Sequence, residues 1–371
     1  MSKPKVCQVS SVHFAIDTRI FYRLAQSLKT EYEVTVIGVH PKEEILDGIK
    51  IIPFRRFKNK MLRVLVTWFL ILRKCLKAKA DIYQIHDPEL IPTALILKAL
   101  GKQVVYDVHE NIADDIFDKP WIKNKKLLYW MFTFFEKRVA KSCPIFIAED
   151  SYLPRYKSLT NNVHIVHNYP NKSFFDNYII SNRVNEPRLF YSGILLFSRA
   201  IMETIEAMYL LQQKNVFVHF DVIGELYTDM DAAIDALPYI NEVKPYLHFH
   251  GRLPLNESYE ISEKAKIGLS LIHPMKNSRE SYPTKIFEYM CIGLPQIASD
   301  FPLYKSVVES NNCGITCNPQ SPEAIASSIE KYLISDKLYM EHANNAISKA
   351  IKYQWETEFV KVQEVYSDLL S

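Results

Sequence analysis

Short β-branched runs alternate with longer stretches of helical periodicity, and half-way along the chain the alternation starts again. In the first half "KVCQVSSV", "YEVTVIGV", "GIKIIPF", "ADIYQIHD", "QVVYDVHE", "PIFIAED" and "VHIVHN" read as strands. Between them, "TRIFYRLAQSLKTE" carries Ile20, Leu24 and Leu28 on one helical stripe, and residues 90–99 form a second helical pattern. The second half repeats the scheme: "PRLFYSGI", a helix over 200–214, "VFVHFDVIGE", "YLHFHGRLP", "AKIGLSLI" and "LPQIASD". Such alternation predicts parallel sheets covered by helices on both faces. The stretch 169–187, "YPNKSFFDNYIISNRVNEP", is polar and flanked by prolines, and reads as a linker. The fold class is therefore α/β, with two doubly wound Rossmann-like domains, 1–170 and 185–350. An amphipathic helix at 351–371 folds back toward the N-terminal domain in this reading. A chain of 371 residues has room for two cores of ordinary size.

Composition removes several alternatives. A hydrophobic fraction of 48% with 23% charged residues marks a folded chain, and a net charge of +3 gives no electrostatic case for nucleic acid. The six cysteines, Cys7, Cys75, Cys143, Cys291, Cys313 and Cys317, have neither C-x-x-C pairing nor zinc-like spacing, and read as structural thiols. The N-terminus lacks the apolar core of a signal peptide. The longest apolar runs, 64–72 and 127–135, are about half the roughly twenty residues a bilayer span needs. A cytoplasmic protein is expected.

In open parallel sheets ligands bind outside the carboxyl ends of the strands, and the polar residues gather there. "YDVHEN" puts Asp107, His109 and Glu110 at one strand end, and "QIHDPEL" puts His86, Asp87 and Glu89 at another. Asp87 and Pro88 fit the N-cap and N1 positions of the next helix, whereas His109 precedes no obvious helix start. In "SGILLFSRA" a strand ends at Gly193, and Arg199 stands before a helix, against the helix dipole unless an anion docks there. In "ESYPTKIFEYMCIGLP", Glu280 lies in turn-like sequence and Glu288 on an apolar-periodic stretch. Pro283 is expected at N1, with the amides of Thr284, Lys285 and Ile286 forming an anion site that the Lys285 charge reinforces. Carboxylates on either side of an anion make sense if each holds hydroxyls. A nucleotide sugar has that order of groups: ribose, diphosphate, sugar.

The chain resembles the glycosyltransferases of family 4, retaining enzymes of the GT-B fold, in which two Rossmann-like domains face each other across a cleft. The resemblance rests on "HFAIDTRIFYRLAQSL", "HDPELIP", "VVYDVHEN", "YSG" with Arg199, "HFHGRLP" and "ESYPTKIFEYMCIGLPQIASD", and covers essentially the whole chain. It implies that Glu288 binds the ribose, Glu280 approaches the donor sugar, and Arg199 grips the diphosphate. It implies further that His109 contacts the sugar beside the reacting carbon, and that the loop at Gly251 and Arg252 lies against the base. The donor would be a UDP-sugar or GDP-sugar. The sequence departs from the family at three places. The loop after the first strand has no glycine, which leaves Asp17 and Arg19, with His86, as acceptor candidates. Only one basic residue stands near Gly193, so Lys285 takes the place of the second. Ser281, Tyr282 and Pro283 replace a glycine–aromatic–glycine run.

The resemblance also implies a mechanism in which the acceptor attacks the face that the nucleoside diphosphate leaves, without a protein nucleophile. Arg199, Lys285 and the helix N-terminus would stabilise the leaving group, so neither metal nor cofactor is expected. Residues 55–79 hold nine Lys/Arg and no acid around Trp68 and Phe69, and a second basic–aromatic region contains Trp121 and Trp130. Such segments suit an anionic membrane surface. The expected acceptor is a lipid-linked glycan at the inner face of the cell membrane, as in capsule, O-antigen or exopolysaccharide assembly. The alternatives are a sugar-nucleotide epimerase of the same fold and a transferase with a soluble acceptor.

Overall fold

The computed structural model describes residues 3–57, 59–109, 116–117, 124–180, 186–226 and 229–371, with the backbone alone at 60–65 and 276–277. Lys58, Glu110 and Trp121 lie outside the described residues, as do the side chains of Lys60 and Arg63. The chain forms two units, one of Met1–Asn168 with Trp355–Ser371 and one of Tyr169–Gln354.

The first unit is built on β1 (Lys5–Phe14), β2 (Glu33–Val39), β3 (Glu44–Leu46), β4 (Ile49–Phe54), β5 (Ile82–Ile85), β6 (Gln103–Val108), β7 (Ile145–Ile147) and β8 (Val163–Ile165). They form one sheet in the order β3-β4-β2-β1-β5-β6-β7-β8. Every pairing is parallel except the hairpin β3–β4. That hairpin is absent from the sequence reading. Its turn is Asp47–Gly48, both left-handed (φ 52° and 80°), as an Asp-Gly turn demands. Strands such as β7 are buried throughout, which is why they read as continuous apolar runs.

Thr18–Ala25, expected as an α-helix, is a π-helical turn. The amides of Phe21 and Tyr22 both close on Asp17 O (2.9 and 3.2 Å), while the Asp17 carboxylate caps the amides of Arg19 and Ile20. The closing helix Trp355–Leu370 belongs to this unit. Trp355, Val362 and Tyr366 are buried with Ile20, Leu24 and Val34, and Trp355 Nε1 donates to Ser27 Oγ at 2.8 Å.

The second unit holds β9 (Arg188–Ser192), β10 (His219–Ile223), β11 (Leu247–Gly251), β12 (Ile267–Ser270), β13 (Gln296–Ser299) and β14 (Gly314–Cys317), in the order β11-β10-β9-β12-β13-β14. All pairings are parallel. The edge strand β14 is too short for its periodicity to stand out in the sequence. The expected linker is no bare tether over 169–180. Tyr169, Phe175 and Ile180 are buried with Tyr259 and Phe287 in the core of this unit, because aromatic side chains at such spacing need apolar cover.

All six cysteines are buried and free, and burial lifts the Cys75 and Cys143 thiols to about 12. Among the described residues no helix is long and apolar enough to cross a membrane.

Candidate active site

In the second unit β9 lies between β10 and β12, so the strand order reverses there, and the crevice beyond such a reversal is where open α/β sheets take ligands. Gly193 follows β9 with φ 146°, and Gly224 follows β10 with φ 147°. The Gly193 amide donates to Ile223 O at 2.8 Å. A Cβ at Gly224 would stand 1.9 Å from Gly193 O, and one at Gly193 2.7 Å from Lys285 Nζ. Only glycines let the two rim loops touch while the Lys285 ammonium reaches them.

Lys285 lies in the first turn of the helix Thr284–Ile292, which buries Ile286, Phe287, Tyr289 and Met290 and turns Thr284, Lys285 and Glu288 the other way. The helix ends at Gly293 in the left-handed C-cap conformation (φ 68°). Pro283 occupies the N-cap rather than N1, and the Ile286 amide closes on Pro283 O at 3.1 Å. The amides at this end with no preceding helical carbonyl are therefore those of Thr284 and Lys285.

Lys285 Nζ stands 4.7 Å from the Tyr191 ring centroid. Burial, then the nearby charge of Arg199, pull its pKa down to about 8, with Glu288 opposing. Arg199 closes the turn Phe197–Arg199, and the next residue, Ala200, holds a left-handed φ of 51° at the entry to the helix Ile201–Gln212. A side-chain-bearing residue in that region stores strain. Arg199 Nε is buried with no acceptor among the described residues. Two cations that disfavour each other, one with an orphaned donor, form a site with a deficit of negative charge.

Glu288 is half-buried, and its Oε2 accepts from Tyr259 Oη at 2.6 Å. Glu280, expected in a turn, is the exposed last residue of the short helix Lys276–Glu280, and Ser281 after it is extended. Ser281 and Tyr282 are half-buried, and Gly251 (φ 68°), the last residue of β11, is exposed together with Arg252 after it.

The first unit gathers a second polar cluster at the ends of β1, β5 and β6. Asp107, fully buried, takes Arg19 in a two-pronged pair, Nε to Oδ2 at 3.1 Å and Nη2 to Oδ1 at 2.8 Å. Gln84 Nε2 also donates to Asp107 Oδ2, at 2.8 Å. The Arg19 charge and the two histidines outweigh burial and hold Asp107 well below the usual carboxylate range. His86 is buried, with Nε2 2.7 Å from Gln8 Oε1 and Nδ1 3.0 Å from His109 Nε2. Burial lowers its pKa, leaving a neutral ring. Because Gln8 Oε1 can only accept, His86 carries its proton on Nε2, and Nδ1 accepts from His109.

The donor atoms of His86, Asp107 and His109 lie within 4.8 Å of one another, a spacing a metal ion could span. Here Asp107 is already engaged by a guanidinium and an amide, and the two rings share a hydrogen bond.

Arg19 and His86, expected as acceptor candidates, thus spend their nitrogens on protein partners. Asp17 is partly exposed, and its carboxylate caps the π-helical turn. Asp87 precedes Pro88 as expected but makes no cap to that turn. Its Oδ2 accepts instead from Ser10 Oγ and the amides of Ser11 and Val12, fixing the C-terminal part of β1.

The family model for glycosyl transferases group 1 matches residues 176–352, and that for Glycosyltransferase Family 4 matches residues 18–168. The chain belongs to glycosyltransferase family 4. Among solved structures, the transferase is similar to sucrose-phosphate synthase from Thermosynechococcus elongatus, with TM-score 0.74 and 14% identity over 99% of both chains. It is similar also to HepE from Anabaena in complex with UDP, with TM-score 0.69, 13% identity and coverage of 99% of this chain and 100% of that one. WaaG, a glycosyltransferase involved in lipopolysaccharide biosynthesis, aligns with TM-score 0.65 and 15% identity over 93% and 95% of the two chains. At such identities the likeness speaks for the GT-B fold. Among curated protein sequences none matches the chain.

Four parts of the transferase's two clusters escape the sequence reading: Gly224, Tyr191, Tyr259 and the Arg19–Asp107 pair. Gly224 alone had a usable signal. It follows a strand in a chain with only 9 glycines.

Proposed function

We propose that this glycosyltransferase moves a sugar, with retention, from a nucleoside-diphosphate sugar to a lipid-linked glycan at an anionic membrane face in cell-surface polysaccharide synthesis. The observation that carries the donor half is the pairing of Arg199 and Lys285 around the β9 crevice, with the orphaned Arg199 Nε. The UDP bound by HepE is consistent with it. Arg199, Lys285 and the Thr284 and Lys285 amides take the diphosphate, and Glu288 takes the ribose. As the bond from the anomeric carbon to the phosphate oxygen breaks, an acceptor hydroxyl bonds to that carbon from the same face. Its proton passes to the departing phosphate. Two side-chain cations supply the charge that a divalent ion would otherwise bring, so rates in excess EDTA should equal those in magnesium.

The acceptor half rests on the surface of the first unit. The helix Lys125–Ser142 exposes Leu127, Trp130, Met131, Phe134 and Phe135. Its one acid, Glu136, is buried under Arg155 and Tyr156, so the exposed face is apolar and cationic. A groove of about 720 Å³ near the end of β4 adds Arg55, Arg56, Arg73, Lys74 and Lys77 over Phe54, Phe57 and Leu70, and no described carboxylate pairs with these cations. Within that region Trp68 packs on the core, while Phe69 is 47% exposed. Aromatic and basic groups together suit anionic headgroups.

Release of free nucleoside diphosphate from a UDP- or GDP-sugar only when a lipid-linked acceptor is present tests the reading. Release of an altered sugar nucleotide without acceptor would make the protein an epimerase. His109→Ala should impair use of the intact sugar nucleotide more than binding of the bare diphosphate. Equal loss of both would remove His109 from the sugar.

A further inference from the structure

We propose that Tyr259 is the positioning residue of the donor site: its hydroxyl holds the Glu288 carboxylate in the one orientation that meets the ribose diol. The inference rests on the reading of Glu288 as the ribose ligand and adds a residue which that reading does not contain. Tyr259 lies on the helix Leu255–Ser262 and Glu288 on the helix Thr284–Ile292. The 2.6 Å hydrogen bond from Tyr259 Oη to Glu288 Oε2 joins the two side chains.

A carboxylate has no proton to give, so the phenol donates, and the bond is charge-assisted. The Tyr259 ring is fully buried. It stands edge-on to Phe175 at 4.7 Å between centroids and packs beside Phe190 at 5.8 Å and Tyr178 at 6.2 Å. A ring with two rotatable bonds, walled on three sides, carries its hydroxyl to one fixed point. Glu288 is the opposite case. It is half-exposed, has three rotatable bonds, and unheld would sample many rotamers that binding must freeze.

The bond to Oε2 removes that freedom and leaves Oε1, to which no described residue donates, for a vicinal pair of hydroxyls. A tyrosine needed only for packing would serve equally as phenylalanine. Here the buried polar atom is spent on a surface-facing carboxylate beside the crevice. The arrangement is a rigid second layer aiming a mobile first one.

Tyr259→Phe keeps the ring and deletes the donor, so it separates the two roles. Calorimetric titrations of UDP, GDP and their 2′-deoxy analogues are run on wild type, Tyr259→Phe, Glu288→Ala and the double variant, with thermal unfolding as a control. The proposal predicts about a tenfold weaker affinity for the preferred ribonucleoside diphosphate in Tyr259→Phe, the loss of one charge-assisted hydrogen bond. It also predicts a reduced preference over the 2′-deoxy analogue, and no further loss when Tyr259→Phe is added to Glu288→Ala.

Wild-type affinity in Tyr259→Phe together with weakened binding in Glu288→Ala would overturn the proposal and leave the ribose reading standing. Wild-type affinity in Glu288→Ala would overturn both. Equal losses for ribo and deoxy ligands that persist in the Glu288→Ala background, with lowered thermal stability, would make Tyr259 a packing residue and reject the proposal.

Discussion

Lys285→Ala should lower turnover at saturating donor by on the order of 10²-fold, the cost of one preorganised group at a developing charge. The ammonium stands over Tyr191 at the glycine rim, where no other described cation except Arg199 influences it. Arg199→Ala should have a similar effect. The environment of Lys285 adds a pH signature. With its pKa pulled down to about 8, the free protein carries the charge below that pH and loses it above. Affinity for a nucleoside diphosphate should therefore fall as pH rises through about 8. Lys285→Arg keeps its charge over the whole range and should flatten the fall. Calorimetry at pH 7 and 9 checks it. A fall of equal size in Lys285→Arg would assign the titration to another group, and full turnover in Lys285→Ala would make the residue a bystander.

Replacing Arg55, Arg56, Arg73, Lys74 and Lys77 together with glutamine should abolish most binding to anionic vesicles. Each basic group near such a surface contributes about 1 kcal/mol, so five weaken association by roughly four orders of magnitude at low salt. The same loss should appear in wild type as salt rises, since the Debye length falls to about 3 Å at 1 M. Neutral vesicles should barely distinguish the proteins, and nucleoside diphosphate affinity should be unchanged. Equal sedimentation of both proteins with anionic vesicles would leave the groove a solvated surface and favour a soluble acceptor.

The strand–helix alternation carried most of the fold because strands buried on both faces leave unbroken apolar runs, as β7 does. Where a strand is short and at an edge, as β3 and β14 are, period and composition no longer separate it from a loop. The π-helical turn at Thr18–Ala25 is invisible to pattern, since it arises from two amides sharing one carbonyl of Asp17. Arg199 and Lys285 stand out in the sequence because each sits at a helix start, and Glu288 because a carboxylate interrupts an apolar-periodic stretch. Their partners do not. Tyr259 lies 29 residues before Glu288, and Arg19 lies 88 before Asp107; only packing brings them together. Asp87 shows the converse, a good local cap signal overridden by the amides of Ser11 and Val12.

In the proposed donor site, residues of the second unit divide a nucleoside diphosphate among them, Glu288 on the ribose and Arg199 with Lys285 on the phosphates. Titrating UDP and uridine, and GDP and guanosine, into wild type, Glu288→Ala and the double variant Arg199→Ala/Lys285→Ala tests it most directly. The account predicts that wild type binds one of the diphosphates far more tightly than its nucleoside. The double variant should lose that preference. Glu288→Ala should keep it while binding both ligands more weakly, by about 1.5–3 kcal/mol for a hydrogen-bonded charged group. A wild type that binds neither diphosphate, or a double variant that still prefers the diphosphate as strongly as wild type, would contradict it.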